Sequence, residues 1–182
     1  FRWLPRGADW CMDLRSLIRE IPDFPKPGVS FKDITPLLTD GQALRYVVRR
    51  MADHFRDKRP ELIVGVESRW FLFGSPLAYE LGVGFVLIRK PNKLPAEKIR
   101  VEYQLEYGTD ALEIHVDAIK PGEKVLLVDD VIATGGTAAA AVKLLEGIGA
   151  EVVGFSVFIE LVFLSGIEML DGVPIHALVR YH

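Results

Sequence analysis

The stretch that most constrains this chain is Lys124 to Thr137, KVLLVDDVIATGGT. Val125, Leu126, Leu127 and Val128 form an apolar run rich in β-branched residues, which predicts a strand buried on both faces. Asp129 and Asp130 follow directly, then Ala133-Thr134-Gly135-Gly136-Thr137, then the helix-like run AAAAVKLLEGIG. A tight turn that opens a helix aims backbone N–H groups outward and adds the positive end of the helix dipole, which suits a phosphate. Gly135 and Gly136 allow close backbone approach, and Thr134 and Thr137 add hydroxyl donors. Phosphate alone does not call for two carboxylates beside the turn. A phosphorylated sugar does, because carboxylates accept hydrogen bonds from vicinal hydroxyls. Two other phosphate motifs are excluded. No Gly-Lys pair follows the glycines, as a nucleotide P-loop requires, and adjacent glycines do not fit G-x-G-x-x-G.

Apolar runs alternate with helical spacings along the rest of the chain. Leu62–Val66, Phe85–Ile88, Glu151–Ile159 and Ile175–Tyr181 read as strands. Leu44, Val47, Val48, Met51 and Phe55 repeat at helical spacing after Asp40, and Trp70 to Leu81 reads as a helix that Gly82 can end. Asp13 is placed to cap a short helix over LRSLIRE, whereas IPDFPKPGVSFKDITP, with four prolines, excludes a regular helix. Pro91 to Gln104 is polar and mixed and reads as a mobile loop, with alternating strands expected at Tyr103–Tyr107 and Ala111–Ile114. Leu161 to Leu170 reads as helix or loop. The alternation predicts an α/β fold with a doubly wound, mainly parallel sheet, in one domain over residues 12–182. Ligands of such sheets sit beyond the carboxyl ends of the strands. Three strand exits should therefore converge on one cleft: Glu67-Ser68-Arg69, Arg89-Lys90 and Asp129-Asp130. Two exits carry cations and one carries acids, which suits a substrate with a pyrophosphate at one end and a sugar in the middle.

A net charge of −3 supplies no chain-wide reason for a nucleic-acid or anionic-membrane partner. No uninterrupted apolar run is long enough to span a bilayer. Cys11 is the one cysteine, so no internal disulfide is expected. A reducing cytoplasm suits this, although a cysteine-poor secreted chain would look the same. Residues 1–11 are expected to be an added or upstream extension, a genuine ordered arm being the alternative. His54, His115, His176 and His182 have no metal-ligand spacing.

Residues 125–137 closely resemble the phosphoribosyl-pyrophosphate (PRPP) motif of the type I phosphoribosyltransferases: four apolar residues, two acids, then Ala-Thr-Gly-Gly-Thr. The resemblance implies that Asp129 and Asp130 bind the ribose 2- and 3-hydroxyls. It assigns the 5-phosphate, and AMP, to Ala133, Thr134, Gly135, Gly136 and Thr137. Val66-Glu67-Ser68-Arg69 resembles the family's pyrophosphate loop, implying roles for Glu67, Ser68 and Arg69 and a cis peptide at Glu67-Ser68. Arg89, Lys90 and Lys93 resemble an Arg-Lys-x-x-Lys stretch that meets pyrophosphate directly or across a dimer interface, and the segment after them is a candidate lid. Leu105-Glu106-Tyr107-Gly108 resembles the stretch with a catalytic glutamate near the lid, so Glu106 is the candidate for handling the purine proton. PDFPKPGVSFKDITP closely resembles the base-binding hood of the adenine-specific members, here mainly residues 12–38. By that resemblance Phe31 stacks on the purine, Ser30 and Lys32 supply backbone contacts, and Val131 packs on the other face.

The resemblance implies transfer of a phosphoribosyl group from PRPP to adenine, giving AMP and pyrophosphate in purine salvage. It also implies Mg²⁺ carried by PRPP's own oxygens, no protein metal cage, and a homodimer. A transferase for another base and a non-catalytic PRPP-sensing regulator are the alternatives; residues before Leu62 leave little room for a basic helix-turn-helix. Trp70 departs from the family, which has Gly after this Arg. Either the position is already helical and tolerates a side chain, or pyrophosphate binding is weakened.

Overall fold

Strand and helix follow the hydrophobic periods closely in a computed structural model of the chain, which describes residues 12–104 and 108–182. Contacts divide the chain into two compact units, Phe1–Tyr46 and Val47–His182. In the first unit, Asp13 accepts the Arg15 N–H at 3.1 Å, but it caps only a single 3-10 turn, Leu14–Leu17. The helix expected through Glu20 gives way to strand β1 (Arg19–Ile21), which pairs antiparallel with β2 (Phe31–Asp33). Cross-strand pairing therefore overrides local helical spacing here. The proline-rich connection between them is irregular, as expected, with Asp23 Oδ1 accepting the N–H of Gly28 at 2.8 Å. A short helix α1 (Thr35–Thr39) follows. Asp40 Oδ1 then caps α2 (Gly41–Phe55) by accepting the N–H groups of Gln42 and Ala43.

The second unit is built on strands β3 (Leu62–Val66) and β4 (Gly84–Ile88), joined by α3 (Trp70–Leu81). An antiparallel hairpin of β5 (Lys98–Gln104) and β6 (Thr109–His115) comes next, so much of the expected loop from Pro91 is a strand. Then come β7 (Lys124–Ile132), α4 (Gly136–Gly147), β8 (Glu151–Leu161) and β9 (Ile175–Tyr181). Five of these strands form a wholly parallel sheet in the order β4-β3-β7-β8-β9. Leu161–Leu170 folds as two 3-10 turns, Val162–Leu164 and Gly166–Met169.

Both sheet faces are covered. Val125, Leu127, Phe155 and Val157 share a core with Ala140, Ala141, Leu144 and Leu145 of α4. On the alternate positions, Phe158 packs its ring against Phe73 of α3, and Gly154 leaves room for Phe55, whose ring a Cβ there would strike. Strand β7 runs four residues past the expected Val128. Asp129 pairs with Val157 and Val131 with Ile159, so the acidic pair lies inside the strand rather than after it. By alternation Asp129 and Asp130 point to opposite faces of the sheet, and both are buried. Trp70 occupies the first position of α3 after an α-helical Arg69 and is 7% exposed, its ring 5.9 Å from that of Phe155. The position is thus helical and accepts a side chain.

Candidate active site

The chain leaves β3 toward β4 on one side and leaves β7 toward β8 on the other. Adjacent strands whose connections diverge open a crevice at their carboxyl ends. A cleft of about 420 Å³ lies there, lined by residues 66–70, Lys90, Asp129 and residues 131–138. Glu67, Ser68, Arg69, Lys90, Asp129, Val131, Ala133, Thr134, Gly135, Gly136 and Thr137 are thereby brought to one place. Arg89, Asp130 and the exposed Lys93 are not among the residues that line it. Ser30, Phe31 and Lys32 belong to the N-terminal unit. There Phe31 meets Phe24 edge-on at 5.2 Å, and the buried Lys32 ammonium donates to Glu20 at 2.5 Å and to Ser30 at 3.0 Å. Glu106 and residues 1–11 lie outside the described residues.

The turn into α4 is a backbone device. Gly135 takes φ +80°, a left-handed conformation, and its carbonyl accepts the Ala139 N–H at 2.9 Å to start the helix. The first-turn N–H groups ahead of Ala139 have no carbonyl within the helix to bond. The residues that carry them, Gly136, Thr137 and Ala138, line the cleft together with Thr134. A Cβ on Gly135 would run into the carbonyl oxygen of Gly166, and a Cβ on Gly166 into that of Ala133. Gly166 therefore locks the loop from behind, backbone against backbone. Sequence reasoning missed it; its one signal was a glycine amid the apolar residues of FLSGIEML.

The acids beside the turn are costly to hold. Asp130 is 1% exposed, and among the described residues neither of its carboxylate oxygens accepts a hydrogen bond. Arg69 Nε lies 3.2 Å from Oδ2, close enough for an ion pair though not aligned as a hydrogen bond. Asp129 Oδ1 accepts the Asp130 N–H at 2.6 Å and the Val131 N–H at 3.4 Å. Burial, and next the neighbouring Asp130 charge, still push the Asp129 carboxyl well above the usual range. Two adjacent, under-solvated carboxylates are primed to accept hydrogen bonds from hydroxyl groups.

The cationic side is organised by carboxylates. The Glu67–Ser68 peptide bond is cis. Glu67 accepts the Lys90 N–H at 2.6 Å and Arg89 Nε at 2.8 Å. Burial pushes the Glu67 carboxyl up, but these bonds outweigh it and hold it below its ordinary value. Glu113, buried and unremarked in the sequence, exchanges both backbone hydrogen bonds with Arg89 and accepts the Asn92 N–H at 3.1 Å. The Lys90 ammonium donates to Asp110 and, at 2.8 Å, to the Tyr103 hydroxyl. Among the described residues no group of three or more His, Cys, Asp or Glu side chains gathers in metal-binding geometry. No helix of the described residues is long and apolar enough to cross a membrane.

Comparisons with known proteins show what the chain is similar to. A family model described as phosphoribosyl transferase domain matches residues 36–161. The chain is 56% identical over 170 residues to an adenine phosphoribosyltransferase of Clostridium perfringens, covering 93% of this chain and 99% of that one. A crystal structure of adenine phosphoribosyltransferase from Thermoanaerobacter pseudethanolicus superposes with a TM-score of 0.89 at 52% identity, over 92% of this chain and 97% of that chain. One from Trypanosoma brucei, in complex with AMP, pyrophosphate and ribose-5-phosphate, superposes at 0.85 with 28% identity, over 97% and 82% of the respective chains.

Proposed function

The chain belongs to the phosphoribosyltransferase family, and from that premise we propose that it converts adenine and PRPP to AMP and pyrophosphate, as a pentosyltransferase of purine salvage. One observation carries the reading: the turn from Ala133 to Thr137 and the buried Asp129 line one crevice between β3 and β7, with the buried Asp130 next in the same strand. In this reading the turn from Ala133 to Thr137 holds the 5-phosphate, and Asp129 and Asp130 accept the ribose hydroxyls. Breaking the bond from ribose C1 to pyrophosphate builds positive charge on the sugar. Buried carboxylates in a fixed, water-poor setting stabilise that charge more than solvent does. Arg69, Arg89, Lys90 and Lys93 balance the departing pyrophosphate, with Glu67 and Ser68 shaping the loop that receives it. Ser30, Phe31, Lys32 and Val131 are assigned to the base, and Glu106 to its proton.

Mg²⁺ would be carried by PRPP's own oxygens, the hard donors that ion takes, rather than by ligands from the protein. Bound there, the ion would neutralise pyrophosphate oxygens. A homodimer is supported by exposed apolar side chains on the outer face of α3, Leu72 and Tyr79, and by Leu87 on edge strand β4. A cytoplasmic setting is supported by the single cysteine.

The test is AMP formation from adenine, PRPP and Mg²⁺, run beside hypoxanthine, guanine, xanthine and orotate. Adenine should be the preferred base, and Asp129→Asn with Asp130→Asn should lower kcat/KM by about 100-fold or more. Preference for another base, or undiminished turnover in the double variant, sinks the assignment.

A further inference from the structure

Three of the cations assigned to pyrophosphate already have a carboxylate: Arg69 has Asp130, Arg89 has Glu67, and Lys90 has Asp110. A pyrophosphate that enters must share these cations or take them. The three carboxylates differ in what they lose by letting go. Asp130 is 1% exposed and would be left in a dry setting. Glu67 also holds the Lys90 backbone, and its side chain is 16% exposed. The Asp110 side chain is 27% exposed, and it keeps two partners without Lys90: the Ala111 N–H at 2.7 Å and the Tyr103 hydroxyl at 3.2 Å. Water and these two donors can satisfy it after the ammonium leaves.

Lys90 is equally suited to exchange. It lines the cleft, and its ammonium sits over the Tyr103 ring, 5.3 Å from the centroid. A lysine carries three donors on a flexible stem, so it can turn from one anion to another without moving the backbone that Glu67 and Glu113 hold. The Tyr103 hydroxyl also lies 3.4 Å from Thr137 Oγ1, within the turn assigned to the 5-phosphate.

We propose that Asp110 is a displaceable counter-ion that, with Tyr103, competes with substrate pyrophosphate for Lys90. The inference rests on the reading that Lys90 meets pyrophosphate. Asp110 is then a positioning residue that acts only through Lys90: it holds the ammonium at the rim and weakens pyrophosphate binding by the cost of surrendering it. Free pyrophosphate and PRPP both feel that cost. AMP, which carries no pyrophosphate, does not.

Calorimetric titration of the full chain with magnesium pyrophosphate and, separately, with AMP tests this. Asp110→Asn keeps the acceptor for Ala111 but removes the charge. It should tighten pyrophosphate by about 2- to 5-fold, the worth of a partly exposed ion pair, and leave AMP unchanged. Tyr103→Phe, which removes only a hydroxyl, should shift pyrophosphate in the same direction by less. Lys90→Met should weaken pyrophosphate, and in that background Asp110→Asn should have no further effect. Equal tightening with and without Lys90 would mean plain charge removal and overturns the inference, as does unchanged or weaker pyrophosphate binding in Asp110→Asn. If Lys90→Met itself leaves pyrophosphate affinity untouched, the assignment of Lys90 fails too, and the inference falls with it.

Discussion

The turn at Ala133–Thr137 and the turn at Arg89–Lys93 flank the same crevice but are built from different materials. The first offers backbone. Its shape is set by a left-handed Gly135 and by the contact with Gly166, neither of which can be adjusted without moving main chain. The second offers side chains, two of them held by a carboxylate elsewhere in the fold: Glu67 for Arg89 and Asp110 for Lys90, with Glu113 bracing the backbone at Arg89 and Asn92. A rigid amide cradle suits the group that stays with the product, because it needs no reorganisation. Flexible, exchangeable ion pairs suit the group that must arrive, change partners and leave.

Breaking the rigid side should have the largest effect. Gly166→Ala drives a methyl into the Ala133 carbonyl. Displacing that loop by a strain of about 1–3 kcal/mol should lower kcat/KM by about 10- to 100-fold. AMP and PRPP affinity should fall together when each is titrated by calorimetry. If Gly166→Ala alters only pyrophosphate binding, the cradle is not where the phosphate sits.

Trp70→Gly sharpens the other side. Restoring the family's Gly should let the backbone at Arg69–Trp70 approach the anion, tightening pyrophosphate by about tenfold, the worth of one charge-assisted contact. The same change empties a buried site beside Phe155 and should cost about 3–5 kcal/mol, or roughly 10 °C in Tm. Equal pyrophosphate affinity in the two proteins would show that Trp70 serves packing alone.

The smallest effect is a difference in sign with pH, read as Tm of each variant against the unaltered chain. Glu67 is held below its ordinary 4.5, so its contribution is complete above that value and is lost as pH falls through the lowered one. Glu67→Gln should therefore be less stable near neutrality, by about 1 kcal/mol or less, and the gap should close in acid. Asp129 is raised above its ordinary 3.8, so the folded state holds the proton longer and loses stability as pH climbs from 3.8 to the raised value. Asp129→Asn should gain on the unaltered chain over that window. Parallel pH curves for the two variants would erase the contrast between a braced turn and a strained acidic pair.

The legibility of the site divides along the same line. The amide cradle and the acids could be read because a strand, a turn and a helix N-terminus are consecutive, and the chemistry lies in one stretch of residues. Glu67 and Arg69 were found by resemblance, but that Glu67 braces Arg89 was not, since 22 positions separate them. Asp110, Tyr103 and Glu113 carried no local signal: they sit on strands whose alternation says which face a residue takes, not which ion it meets. The errors in secondary structure have the same origin. Arg19–Ile21 joins a strand because Phe31–Asp33 lies beside it, and β7 continues through both acids because β8 offers partners as far as Glu160.

By itself, the sequence determined the parallel α/β architecture and the anion-binding turn, because hydrophobic period, glycine conformation and helix-start chemistry all act within a few residues. Only the tertiary structure decided that Asp129 and Asp130 face opposite sides of the sheet while both are buried. It alone decided that Gly166 closes the back of the cradle, and which carboxylate restrains each cation. Such pairings depend on distances across the fold, which side-chain type and spacing along the chain do not contain.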